Sequence, residues 1–577
     1  MSELLEKKLT LKNISSLEHV LLPTDTCPEV KFSNFNQSID NVKWPTWIET
    51  LDMGWHFNQN IDNATWPVAL KNLILGWRFN QDITRAKWTD TILSINLGHK
   101  FNKDISDVTW PINLNSIIFS YDFNQDISHV KWPESLRVMT FGYYFNKDIS
   151  HVKWPIALHM VTFSECFDQN ISRVSWPPAL NTLIFRFFFD QDIRSVKWPD
   201  TLETLIFGSY FGYSRKYNSN VADIKWPSNL IILDLGGSFD KDMAFVKFPA
   251  TLDSLILSAN FNQNISLVPF PEALRILIFG RKFNTDISYV NLPLSLRILK
   301  FGTAFNKNID KVNWQQVKEL QFGYKFNQDI SKVNFKLIEV ITFGECFNQD
   351  ISFVCWPESI TKIIFGHDFN RDISHVKWST NMNLKDIIFG DAFNQNIKYV
   401  KWPESLETLK FSRNFNQKLT MINFPSTICE LTLSDKFNQS LADEKWSTTL
   451  QILTFGSQFN QLLPTENCNQ LTKVTFGEKF NQKLTLANFP KLTVMTFGDN
   501  FNQDISTIYW PLLHTITFGV KFNQSLSNVI FTDLHVIHDY SNKITSNSCK
   551  FPTSLTKIIY YEYISGKYEP HEYTTAF

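Results

Sequence analysis

The apolar positions of this chain recur on a single template. From Phe145 it reads F-N-K-D-I-S-H-V-K-W-P-I-A-L-H-M-V-T-F-S-E-C, and Phe167 then opens the next copy. Counting an opening Phe or Tyr, 23 copies run from Phe35 to Phe522, most of them 22 residues apart and several 21. One spacing is 24, before Phe393, and one is 28, before Tyr217. A unit this short cannot bury a core of its own, so stability has to come from stacking on its neighbours. The length of 577 residues then implies one elongated array and not several globular domains.

The positions within a copy predict its elements. L-x-x-L-x-F-G, as at Leu202–Gly208, alternates like a short strand with one buried face, and the Gly permits a turn at its end. Strands of successive copies are expected to pair in parallel. The segment I-x-x-V-x-W-P carries β-branched residues and Pro, which predicts extended or 3₁₀ backbone on the other side of the coil. Units of about 22 residues fall in the leucine-rich-repeat range. The expected fold is mostly β: a leucine-rich-repeat-like solenoid of about 23 coils with a continuous parallel sheet. Residues 1–34 read as an N-terminal capping segment, 35–563 as the solenoid and 564–577 as a C-terminal tail.

Individual positions acquire roles from their tolerance. The first is Phe in 22 copies and Tyr in one, which predicts a buried aromatic stack through residues such as Phe145 and Phe167. The second is Asn in 20 copies and Asp in three, Asp168, Asp190 and Asp240. What Asn and Asp share is an acceptor oxygen, so Asn146 is expected to accept a backbone N–H of a tight turn. The third is mostly Gln but admits Lys103, Arg371 and Thr285, which reads as solvent. The tenth holds 15 of the 18 tryptophans, Trp154 among them.

Composition narrows the function classes. Net charge is −1, with 55 basic and 56 acidic residues and no basic block, so neither nucleic acid nor an anionic membrane is an expected partner. The N-terminus lacks the apolar core of a signal peptide, and no run of 18 apolar residues follows. Seven cysteines are scattered without a C-x-x-C pair, which fits a reducing compartment better than a disulfide framework or a zinc site. An intracellular, cytoplasmic protein is expected.

Candidate chemistry is sparse. His129, His151 and His375 share one coil position, but no carboxylate is uniquely placed with them and they read as surface residues. Asp at the fourth position and Lys at the ninth, as Asp126 with Lys131, read as opposite charge ladders. Thr432, Thr454, Thr475, Thr496 and Thr517 share one strand position, held earlier by Ile184, Ile206, Ile256 and Ile278. They are expected on the outward face of the sheet, as a partner-binding strip. The long spacing before Tyr217 adds Tyr210, Phe211 and Arg215 as a projecting aromatic-basic loop. Hydrolase, Walker, zincin and dinucleotide signatures are missing. No catalytic residue, metal or cofactor is expected.

The unit FNQDISxVxWPxSLxxLxFG resembles the FNIP repeat, a relative of the leucine-rich repeat found in social amoebae and in giant DNA viruses of amoebae. The resemblance covers residues 35–563. Asp, Asn or Lys often follows Phe-Asn-Gln here where the family name has Ile-Pro, which resembles the viral variant and would place the protein in a host cytoplasm. Some members carry an F-box before the repeats and so serve as substrate adaptors for ubiquitination. The 34 residues before Phe35 hold no F-box-like segment, so that role is not expected here. The resemblance implies a non-catalytic protein-interaction solenoid, a monomer rather than an obligate oligomer, with unknown protein partners. The alternative is an assembly protein that packs through its long faces.

Overall fold

The computed structural model describes residues 9–11, 29–211, 221–378, 382–441, 447–463, 469–484, 489–544, 552, 554–564 and 567–573. The chain forms two compact units, Met1–Thr285 with Val290–Leu296, and Asp286–Tyr289 with Arg297–Phe577. Each is a mostly-β, leucine-rich-repeat-like solenoid. In the first, strands of about three residues recur once per coil and pair in parallel without a register shift, as Val138↔Met160↔Thr182. The second repeats the scheme from Ile298–Lys300 to Val536–Asp539. The middle residue of each triplet points inward, as do the fully buried Met139, Val161 and Leu183. The flanking residues point outward, as alternation along a strand requires.

Opposite the strand, the coil closes through non-helical stretches and single turns with i→i+3 bonds, the bond pattern of 3₁₀ backbone. The Val152 N–H donates to the Ile149 carbonyl at 3.3 Å, and the Leu158 N–H to the Pro155 carbonyl at 3.1 Å. Among the described residues the 3₁₀ helix is Val221–Asp223.

Between strand and turns lies a column of rings. Phe145 and Phe167 are fully buried and stack with centroids 6.2 Å apart and planes 4° from parallel. A second Phe, at the end of each strand, packs on the first: Phe141 lies 4.1 Å from Phe145, and Phe163 4.2 Å from Phe167. The tenth-position indoles make a further stack, Trp154 to Trp176 at 6.4 Å. Buried indole N–H groups at this position, Trp154 and Trp176 included, have no hydrogen-bond partner. The position therefore asks for ring volume and no donor, which accounts for the copies that carry Phe there, such as Phe248 and Phe335.

The second-position oxygen does accept a backbone N–H, but across coils and not within its own turn. Asn146 Oδ1 takes the N–H of Asp168 at 3.0 Å, and Asp168 Oδ1 takes that of Asp190 at 2.9 Å. Asp serves as well as Asn because the bond uses only the shared acceptor. The third position is likewise more than solvent: Gln169 Nε2 donates to Asn146 Oδ1 at 2.9 Å, and Arg371 Nε to the Asn348 carbonyl at 2.8 Å. The fourth-position Asp binds its own turn instead of a charge ladder: Asp126 Oδ1 accepts the N–H and the hydroxyl of Ser128 at 2.9 and 2.8 Å. The Gly after the strand answers to sterics more than to turn geometry. A Cβ at Gly142 would lie 1.7 Å from the Ser120 carbonyl oxygen of the preceding coil.

The long coil departs from its sequence reading. Phe211, and not Tyr217, continues the buried column, 6.4 Å from Phe189 and 5.9 Å from Phe239. The extra residues therefore follow the ring. Tyr217 and Arg215 lie outside the described residues, as do Cys27, Cys468 and Cys549. At the ends, the parallel ladder begins within residues 1–34, where Leu9–Leu11 pairs with Glu29–Phe32. Lys567–Tyr573, in the segment read as a tail, runs antiparallel to Lys557–Ile564.

Candidate functional site

Outward-facing strand residues form rows, because every coil pairs with the next in register. Thr432, Thr454, Thr475, Thr496 and Thr517 are consecutive partners in one row of the second unit, all half-buried. Ile184 pairs with Ile206 in the first unit, also half-buried. The Thr and Ile runs thus occupy equivalent positions in different units. In the second unit, charged strand residues precede the Thr run and join neighbouring coils, as Lys300 with Glu319 at 2.7 Å and Lys410 with Glu430 at 2.7 Å. Exposed pairs of this kind contribute ~1 kcal/mol or less each.

The first unit carries a feature that periodicity alone did not single out. The residue after the strand-ending Gly or Ser is aromatic in five consecutive coils: Trp55, Trp77, His99, Tyr121 and Tyr143. Their rings stack at 4.2, 3.5, 4.4 and 4.7 Å with planes within 19° of parallel. Backbone bonds between coils set the register: the Arg78 N–H donates to the Trp55 carbonyl, Lys100 to Trp77, Asp122 to His99 and Tyr144 to Tyr121. The row starts at Trp55 for a sequence reason. The preceding turn, Phe32-Ser33-Asn34-Phe35, is one residue shorter than Met53-Gly54-Trp55-His56-Phe57 and has no place for a ring. It stops after Tyr143, where Glu165 follows and pairs with Arg186 at 2.7 Å.

Unlike the Phe column, these rings meet solvent: Trp55 is 49% exposed and Trp77 36%. Within the row, burial holds the His99 imidazole below its ordinary value, with Asp122 working against the shift, so the neutral ring is favoured. Beside the first three rings runs an open trough of about 400 Å³, lined among others by Lys31, Asp52 and Ile74. Lys31 and Asp52 pair across it at 3.0 Å. The arrangement offers flat apolar surface next to polar groups of both signs. The signal in the sequence was the remainder: Trp47, Trp55 and Trp77 are the three tryptophans outside the tenth position.

Of the loop residues expected to bind, Tyr210 is half-buried and packs beside Phe187 and Phe188 at 4.9 and 5.1 Å. Phe211 is fully buried in the ring column, where it cannot meet a partner. The Tyr217-Asn218 pair imitates the opening of a copy and so shifts Phe211 into the apparent insert. His129, His151 and His375 are exposed. The described grouping with metal-ligand spacing lies elsewhere, at His514, Asp533 and His535. No helix among the described residues is long and apolar enough to cross a membrane.

The model of the FNIP repeat matches residues 57–86, 261–304 and 393–436. No curated protein matches the sequence. Among solved structures, the chain is similar to CroV588, from the giant virus CroV, described as a novel circular LRR protein structure. That match has 27% identity and a TM-score of 0.60, and covers 97% of this chain and 99% of the other. A leucine-rich repeat protein from Bacteroides ovatus matches at 14% identity and a TM-score of 0.18, covering 73% and 87%, too low a superposition to bear on the fold. Repeat solenoids of this kind fit a protein-interaction or structural role and are generally non-catalytic. With its coil defined position by position, the chain is built on a leucine-rich-repeat-like solenoid and carries FNIP repeats at the three places that the family's model matches.

Proposed function

We propose that the protein is a non-catalytic binding solenoid that captures a protein segment along the outward sheet face, anchored on the aromatic row of the first unit. The observation that carries this reading is the row itself. Five stacked rings from five successive coils stand at the surface, outside the buried Phe column and beside a trough with polar lining. Exposed aromatic patches with a polar rim mark interaction sites, and Trp and Tyr supply large contact area at low entropic cost. The Ile row of the first unit and the Thr row of the second occupy the equivalent strand position in each and would tune partner choice. A soluble monomer with a few specific partners is the expected behaviour.

The test is affinity capture with the full chain from cell extract, quantified by mass spectrometry beside a sizing column. Trp55→Ala with Trp77→Ala is expected to remove the stoichiometric partners while melting stays near the parent value. Each lost surface stacking contact should cost no more than ~1.5 kcal/mol. Partners retained in full by that variant would refute the aromatic anchor. Recovery of only the chain itself, in large assemblies, would favour the assembly role instead.

A further inference from the structure

The grouping of His514, Asp533 and His535 carries a chemistry that neither the repeat nor the binding reading uses. His514 precedes the strand Thr515–Phe518 and His535 precedes Val536–Asp539, and these strands pair Thr515↔Val536. The two imidazoles therefore occupy the same place on adjacent coils, and the His535 N–H donates to the His514 carbonyl at 2.9 Å. Their rings stack with centroids 5.0 Å apart and planes 11° from parallel. Asp533 sits with both. Donor atoms of the three side chains all come within 4.8 Å of one another.

Hydrogen bonds to backbone carbonyls orient both rings; that of His514 lies on the far side from the carboxylate, whereas Nδ1 of His535 also stands 3.9 Å from Asp533 Oδ1. Nδ1 of His514 lies 2.8 Å from the Leu512 carbonyl oxygen, and Nδ1 of His535 lies 2.8 Å from the Asp533 carbonyl oxygen. A carbonyl only accepts, so in both rings Nδ1 carries the proton. In the neutral ring Nε2 then presents a lone pair. Nε2 of His514 faces Asp533 Oδ2 at 3.3 Å. Two acceptors at that distance repel unless a cation lies between them, either a proton on the ring or a metal. The separation suits a metal: ligands about 2.1 Å from a tetrahedral zinc stand roughly 3.4 Å apart. A backbone carbonyl on the second ring nitrogen is also the usual outer partner of a metal-bound imidazole. The three side chains are 39–48% exposed, which leaves the His535 ring room to turn its Nε2 toward the carboxylate and close the set.

We propose that His514, Asp533 and His535 hold a divalent cation of the zinc class through two imidazoles and one carboxylate, with water completing the shell, and that this ion staples two adjacent coils near the C-terminal end. His129 and His151, which share a coil position in the sequence, form no grouping of metal-ligand spacing among the described residues. The inference is independent of the aromatic row.

The experiment is a zinc titration of the chelator-stripped full chain, in competition with a chromophoric chelator, followed by thermal melting. The expected result is one zinc per chain with micromolar or tighter affinity and a higher melting temperature with zinc than without. His514→Gln, His535→Gln and Asp533→Asn should each weaken uptake at least tenfold, while melting in chelator matches the parent, which shows that the variants fold. Asp533→Asn separates the metal from the shared proton, since a proton bridge predicts no zinc uptake in any form. Absence of uptake at 100-fold excess zinc would overturn the proposal. So would equal affinity in the His514→Gln, His535→Gln double variant, which would assign the ion to other residues.

Discussion

At the scale of the residue, the repeat separates side chains that fill volume from those that make a bond. Phe145 fills volume in a closed column, so Phe145→Ala leaves a cavity and should cost about 3–5 kcal/mol of local stability. Trp154 fills volume in a stack that other coils complete with Phe, so Trp154→Phe should cost less than ~1.5 kcal/mol. Hydrogen exchange of the strand Met160–Thr162 reads both, and equal losses would contradict the assigned roles. Residue identity was legible where only size or polarity mattered: the Phe column and the inward strand positions follow from tolerance alone. It was not legible where the partner lies in another coil. Twenty Asn and three Asp at one position announce a shared acceptor, but not that the donor is the next coil's N–H. Phe211 was misread for a related reason. It lies 22 residues after Phe189, yet the Asn following Tyr217 imitates the opening of a copy.

At the scale of the element, the coil is closed by carboxylate-bonded turns that repeat along the chain. Hydrogen bonds from Ser128, backbone first, hold the Asp126 carboxyl below its ordinary value of 3.8. The Ser150 backbone N–H does the same most strongly for Asp148, the Ser374 N–H for Asp372 and the Ser506 N–H for Asp504. A carboxyl with a depressed folded value stabilises the fold fully above 3.8 and loses that contribution as pH falls through the folded value. Acid should therefore loosen the turns together below about pH 4. Nature supplies the control, since Asn170 Oδ1 accepts the Ser172 N–H at 2.8 Å without titrating. Asp126→Asn with Asp148→Asn should flatten the pH dependence of exchange in residues 123–152, measured between pH 3 and 5.5. An unchanged acid response there would show that these turns do not carry it. The strand and its parallel pairing were readable from alternation and a fixed period. The turn side was legible as non-helical backbone, but not where its i→i+3 bonds fall, because β-branched residues and Pro suit an extended segment and a turn series equally.

At the scale of the whole molecule, each unit assigns its interior to ring columns and sets rows of strand residues on its outward face, and the proposed binding role places specificity on those rows. The repeat made the architecture legible because one template recurs 23 times, and the same regularity hid the site. Side chains that depart from the template at a surface position, such as Trp55 and Trp77, look like noise until neighbouring coils bring them together. The expected strip of Thr and Ile exists as rows in register, and the proposed binding role rests instead on the stacked aromatic row, whose Trp55, Trp77 and Tyr121 are exposed. The measurement that tests this division most directly is hydrogen–deuterium exchange across the full chain, free and with its captured partner. The free protein should show one slowly exchanging strand triplet per coil, with a period of 21–22 residues through most of the chain. The partner should add protection at the turns that carry Trp55, Trp77 and His99. Added protection confined to the Pro-containing turns on the opposite side, with none at the aromatic row, would contradict the account.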